Sequence, residues 1–142
     1  GLGSVFSGGI TTPAYGDPNS PMDFGSGGGC RFATDGGDGG GWIQLVAGSV
    51  ILDGSISANG QNGSGNFAGS GSGGSINITT GTIGGSGLIT ASGAGFQVAG
   101  GGGRVYIESS VDTLLTSQVV AEGATGSSGE PSQPGSVVRV SP

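Results

Sequence analysis

Twenty residues, Gly41–Gly60, recur without a gap at Gly74–Gly93, an offset of 33. Two units that match position for position must fold alike, and units this short bury a core only by stacking on one another. A third unit runs from Gly103 through Arg104-Val-Tyr-Ile-Glu to Val119-Val-Ala-Glu-Gly123, and a fourth opens near Ser136 with Val-Val-Arg-Val. Within each unit the apolar residues alternate, with the period of a strand that buries one face. Strand a carries Ile43/Leu45, Ile76/Ile78, Val105/Ile107 and Val138/Val140. Strand b carries Val50/Leu52, Ile83 and Val111. Strand c carries Ile56/Ala58, Ile89/Ala91 and Val119/Ala121.

Three short strands per unit predict an all-β chain, a parallel β-helix (β-solenoid) of about four coils with ladders of like residues inside. Coils spaced ~4.8 Å apart would rise roughly 19 Å in all. The expected organisation is a single domain over 1–142: residues 1–12 a half-coil, 13–40 a long glycine-rich loop, and 41–142 the repeat coils. Glycine supplies 37 of the 142 residues. Such a composition is shared with disordered chains, but disorder does not produce aligned apolar positions at fixed offsets. Gly41, Gly74 and Gly103 precede strand a, and Gly60, Gly93 and Gly123 follow strand c, where tight corners need a permissive backbone. The remaining glycines are expected to fill loops outside the coils.

Composition also removes function classes. There is no lysine or histidine, and Arg31, Arg104 and Arg139 face nine acids, for a net charge of -6. Nucleic-acid binding needs cations that this chain lacks. The commonest general base and zinc ligand are missing. The longest aliphatic run is Val50-Ile51-Leu52, so no membrane span is expected. The glycines follow no Gly-X-Y period, which excludes collagen. Cys30 is the sole cysteine, so no disulfide forms within the chain; an interchain bridge is its minor reading.

The run Gly-Gly-Gly-Gly-Arg104-Val-Tyr-Ile, with Gly-Ser-Ile-Ser-Ala-Asn-Gly60 and Gly-Leu-Ile-Thr-Ala-Ser-Gly93, resembles glycine-rich parallel β-helix repeat domains. Such domains occur in large secreted or cell-surface proteins of bacteria and protists. The segment Tyr15-Gly-Asp-Pro-Asn-Ser-Pro-Met-Asp-Phe-Gly-Ser-Gly-Gly-Gly29 is similar to those that precede such repeats. The resemblance covers most of the chain. It implies a β-helical fold and an extracellular or surface location, and says little about activity.

The fourth unit stops after strand a, and the chain opens on Gly3-Ser4-Val5, which matches Gly48-Ser49-Val50; Ile10 then falls near the place of Ile56. The ends therefore read as complementary halves of one coil. Val137, Val138 and Val140 of one subunit would be completed by Val5, Phe6 and Ile10 of the next, in a head-to-tail homopolymer. A heterologous contact that does not close gives a filament. The competing reading is a piece of a longer repeat array.

Candidate chemistry is sparse. Asn62-Gly-Ser and Asn77-Ile-Thr are N-glycosylation sequons. Outward Trp42 and Tyr106 are candidates for lateral packing or sugar contact, as in an adhesin module, with cover by the glycine-rich loops as the alternative. No cofactor is expected. Calcium is the one candidate ion, at Asp17, Asp23, Asp35 and Asp38, whose default role is as solvated turn residues. An enzyme is not expected: only Glu108 and Asp112 approach the pairing glycoside hydrolysis requires, and no cleft accompanies them. Thr79, Thr80, Thr82 and Thr90 form no regular ladder of the kind ice binding uses.

Overall fold

The structure is a computed structural model that describes residues 15–30, 35–65, 67–127 and 129–142. Among these residues seven strands follow in chain order: β1 (Trp42–Ile51), β2 (Ser55–Ser57), β3 (Ser75–Gly84), β4 (Leu88–Thr90), β5 (Arg104–Asp112), β6 (Val119–Val120) and β7 (Ser136–Val140). They form two parallel sheets, β1-β3-β5-β7 and β2-β4-β6. The chain is an all-β solenoid of about three turns, and β7 is the lone first strand of a further one. The coil count is thus slightly lower than the sequence suggests.

Strands a and b of the repeat are one element with a corner inside it. Ile76, Ile78 and Thr80 face the core, and beyond Gly81 the parity switches so that Ile83 faces it too. Gly48 marks the same corner in β1. The ladders match expectation through the first two coils: Ile43 pairs with Ile76, Leu45 with Ile78, Val50 with Ile83 and Ile56 with Ile89. Val105, Ile107, Val119, Ala58, Ala91 and Ala121 complete the core.

Two registers differ from the expected ones. Val111 pairs with Thr82 rather than Ile83 and is 51% exposed; Asp112 faces Ile83, and Leu114 supplies the buried apolar side chain. In β7, Val137 pairs with Val105 and Arg139 with Ile107, so Val138 and Val140 continue the outward columns of Tyr106 and Glu108. The cause is the corner glycine. A methyl on Gly135 would collide with the carbonyl of Gly103, as one on Gly103 would with that of Gly74. Gly135, not Ser136, therefore occupies the corner column.

The glycine-rich segments are not loops outside the coils. They form the third wall, as four stacked hairpins of extended chain: 22–30 with 35–41, 58–63 with 68–74, 91–95 with 98–103, and 121–126 with 131–135. Each hairpin closes by amides three residues apart: Gly25 donates to Gly40 and Gly28 to Gly37; Gly100 donates to Ala94 and Gly103 to Ala91.

The buried segment 69–74 shows the principle. Gly69 and Ser72 donate to Gly29 and Ser26, Ser70 and Gly73 to Val98 and Gly101, and Gly71 and Gly74 to Gln61 and Ala58, all at 2.8–2.9 Å. Successive amides point to three different neighbours and the pattern repeats every third residue. That is the period of a polyproline II helix, which forms no hydrogen bonds within itself. A bundle of such helices satisfies its backbone laterally, as buried amides require. The helices approach so closely that a methyl on Gly71 would strike the backbone of Asp38 and Gly39.

Candidate functional site

The two ends of the solenoid differ. At one end, β1 and β2 are sheet edges. Ile43, Leu45, Val50, Leu52 and Ile56 pack against the core on one side only and stay half-buried, whereas Ile76, Ile78 and Ile89 above them are fully buried. No residue of β1 carries a charge. This end is an apolar coil whose outer backbone edge has no paired strand among the described residues.

At the other end, β7 is the edge, and the core is closed by an ion pair. Arg139 leaves the inward column and grips Asp112 in a fork: Nε donates to Oδ2 at 2.6 Å and Nη2 meets Oδ1, while Nη2 also donates to the Leu114 carbonyl at 2.8 Å. Burial alone would raise the Asp112 carboxyl. The Arg139 hydrogen bond, the Leu114 amide and the Arg139 charge outweigh it and hold the pKa below the ordinary carboxylate value. Charge and planar fork make this pair stronger than a neutral hydrogen bond.

Sequence reasoning missed this lid. Its signal was present: a constant offset of 29 from Arg104 back to Ser75 places Asp112, not Val111, over Ile83. Of the residues expected at the inter-subunit joint, Val137 faces inward and Val138 and Val140 outward on β7. Val5, Phe6 and Ile10, with the half-coil 1–12, lie outside the described residues.

The outward candidates are dispersed. Asn77 is half-buried on the second strand of the four-stranded sheet, between Gln44 and Tyr106 in its column. Asn62 is exposed in the outgoing arm of a glycine hairpin. Trp42, 38% exposed, starts the column that continues through Ser75 and Arg104. Tyr106 stands two strands away in the next column, so the two rings form no shared platform. Segment 15–24 covers part of the Trp42 column: Ser75 donates to the Asp23 carbonyl at 2.7 Å, and the Arg104 guanidinium lies over the Tyr15 ring.

The Tyr106 hydroxyl reaches Glu108 at 3.5 Å; burial first, then the Glu108 charge and this contact, raise its pKa. Glu108 faces outward and Asp112 inward, so they do not form the carboxylate pair considered above. The Asp17 carboxylate accepts from the Asn19 amide, and Asp35 and Asp38 contribute backbone carbonyls to the glycine wall, accepting from Ser64 and Gln61. Among the described residues, no three His, Cys, Asp or Glu side chains converge on a metal position, and no helix is long and apolar enough to cross a membrane. Cys30 is exposed. No protein-family model, curated protein or solved structure matches the chain.

Proposed function

We propose that this chain is a structural subunit of an extracellular filament or surface appendage, not an enzyme, which grows head-to-tail by joining open coils. One observation carries the reading: the first coil presents an uncharged edge strand with half-covered aliphatic side chains, and β7 offers a matching parallel edge at the opposite end. An unpaired edge above an apolar face is a template for another strand. The joint then adds one more coil contact of the kind that already links β1 to β3 and β3 to β5.

In this reading, residues 1–12 bring Val5 and Ile10 in beside β7 of the preceding subunit to complete its coil. The Asp112–Arg139 pair becomes buried at the joint. A buried pair adds little stability but can specify register. Glycans on Asn62 or Asn77 would decorate the outside. Negative-stain or cryo-electron microscopy of the concentrated protein tests the proposal: filaments are expected, and only short monodisperse particles would overturn it. Deleting residues 1–12 is expected to abolish polymers while leaving the β-type circular dichroism spectrum.

A further inference from the structure

At five corner glycines of the later coils, the coil before occupies the space that a side chain would take. A methyl on Gly74 would collide with the Gly41 carbonyl, on Gly103 with Gly74, and on Gly135 with Gly103. A methyl on Gly81 would sit 2.7 Å from the Gly48 carbonyl, and one on Gly87 would meet Gly54. The first-coil members of these three columns, Gly41, Gly48 and Gly54, meet nothing within 4 Å among the described residues, and none needs a positive φ. A side chain would fit at each. An ordered glycine costs about 0.5–1 kcal/mol in backbone entropy relative to alanine, and among the described residues nothing gives these three glycines a steric reason.

We infer that the first coil is built to receive a second copy of this chain, whose β7 pairs in parallel with β1 and whose Gly135 carbonyl fills the space beside Gly41. The inference rests on the head-to-tail reading and gives it a partner strand and a register. The column Gly41–Gly74–Gly103–Gly135 continues into Gly41 of the next copy. Ser136 then faces Trp42, Val137 faces Ile43, Val138 faces Gln44, Arg139 faces Leu45 and Val140 faces Val46.

Three features select a second copy. The joint is continuous with the β1–β3, β3–β5 and β5–β7 interfaces inside the chain. The receiving strand is uncharged, and the one charge on β7 is already neutralised by Asp112, so no unpaired charge is buried. The glycine seat accepts a backbone carbonyl at the corner of a coil, which Gly135 presents.

Two variants of the full chain test this. Gly41→Leu is expected to hold or slightly raise the melting temperature and to raise the critical concentration for polymerisation at least about tenfold, equivalent to ~1.4 kcal/mol. In a Cys30→Ser background, Gln44→Cys with Val138→Cys is expected to give an intermolecular disulfide ladder on oxidation. Facing residues in neighbouring strands lie within disulfide reach. Inside one chain these two are three strands apart, roughly 14 Å, so no intramolecular bond competes. Unimpaired polymerisation of Gly41→Leu overturns the inference. So does a lowered melting temperature, which would mean that residues 1–14 of the same chain fill the seat, or cross-linking only through the shifted pair Gln44→Cys and Val140→Cys. If the wild-type protein forms no filaments, the head-to-tail reading falls as well; if it does and the variants behave as just described, only the register falls.

Discussion

The solenoid has an aliphatic wall and a glycine wall, and they fill space by opposite means. In the sheets, Ile76, Ile78, Ile83, Ile89 and Ile107 fill the interior with side chains, and the backbones stay a strand spacing apart. In the hairpins, segment 69–74 is fully buried although it contains only Gly and Ser, and the backbones themselves are the packing units. One wall is held by removal of apolar surface from water. The other is held by close contact and a complete set of lateral amide bonds. An aliphatic core can relax around a missing methyl, whereas a bundle of bare backbones has nothing that can rotate out of the way of an added one.

The sharpest way to break this contrast is to add atoms to the glycine wall. Gly71→Val should cost more than about 4 kcal/mol, the range reserved for severe steric or polar defects, because every nearby atom is backbone. Urea denaturation followed by circular dichroism should show no folded baseline; a cooperative transition near wild type would mean that the bundle yields. Removing atoms from the aliphatic wall should cost less. Ile78→Ala is expected to lose about 2–5 kcal/mol and remain folded at low temperature.

The ion-pair lid comes next. Arg139→Met should cost about 1–3 kcal/mol at neutral pH by leaving the Asp112 carboxylate half-buried without its partner. Asp112 has a depressed folded-state pKa. Its contribution is therefore present above the unfolded value of ~3.9 and is lost as pH falls through the folded value. Wild-type stability should drop over that acid window. In Arg139→Met the drop should shrink, as measured by melting temperature between pH 5 and 2. The smallest effect tests the register. Val111→Ser should change stability by no more than about 0.5 kcal/mol, since Val111 is half exposed, while a value near that of Ile78→Ala would restore it to the core.

The aliphatic wall was legible where side chains alternate cleanly. Across Gly41–Gly60 and Gly74–Gly93 the inward residues are apolar except Thr80 and their neighbours mostly polar, so phase and offset agree. Legibility failed at Val137-Val138-Arg139-Val140, where both phases carry valine and alternation cannot choose between them. The choice is made by Gly135, whose fit against Gly103 is a property of the backbone corner. Val111 misled for a related reason: an apolar residue one step from the core column looks inward unless the offset of 29 is held constant. The glycine wall left no periodic trace, because its three-residue period belongs to the direction of amides rather than to side-chain polarity. At the candidate site, the expected half-coil 1–12 lies outside the described residues, and the Arg139–Asp112 lid was not foreseen.

The glycine wall also has a calorimetric consequence. The heat-capacity change of unfolding comes mainly from newly hydrated apolar surface, and exposed polar surface subtracts from it; ordinary domains give about 12–15 cal/mol/K per residue. Segments such as 69–74 and 100–103 would expose peptide groups and almost no hydrocarbon. This protein should therefore fall well below that range, and its stability curve should be unusually flat with temperature, bending little towards cold denaturation.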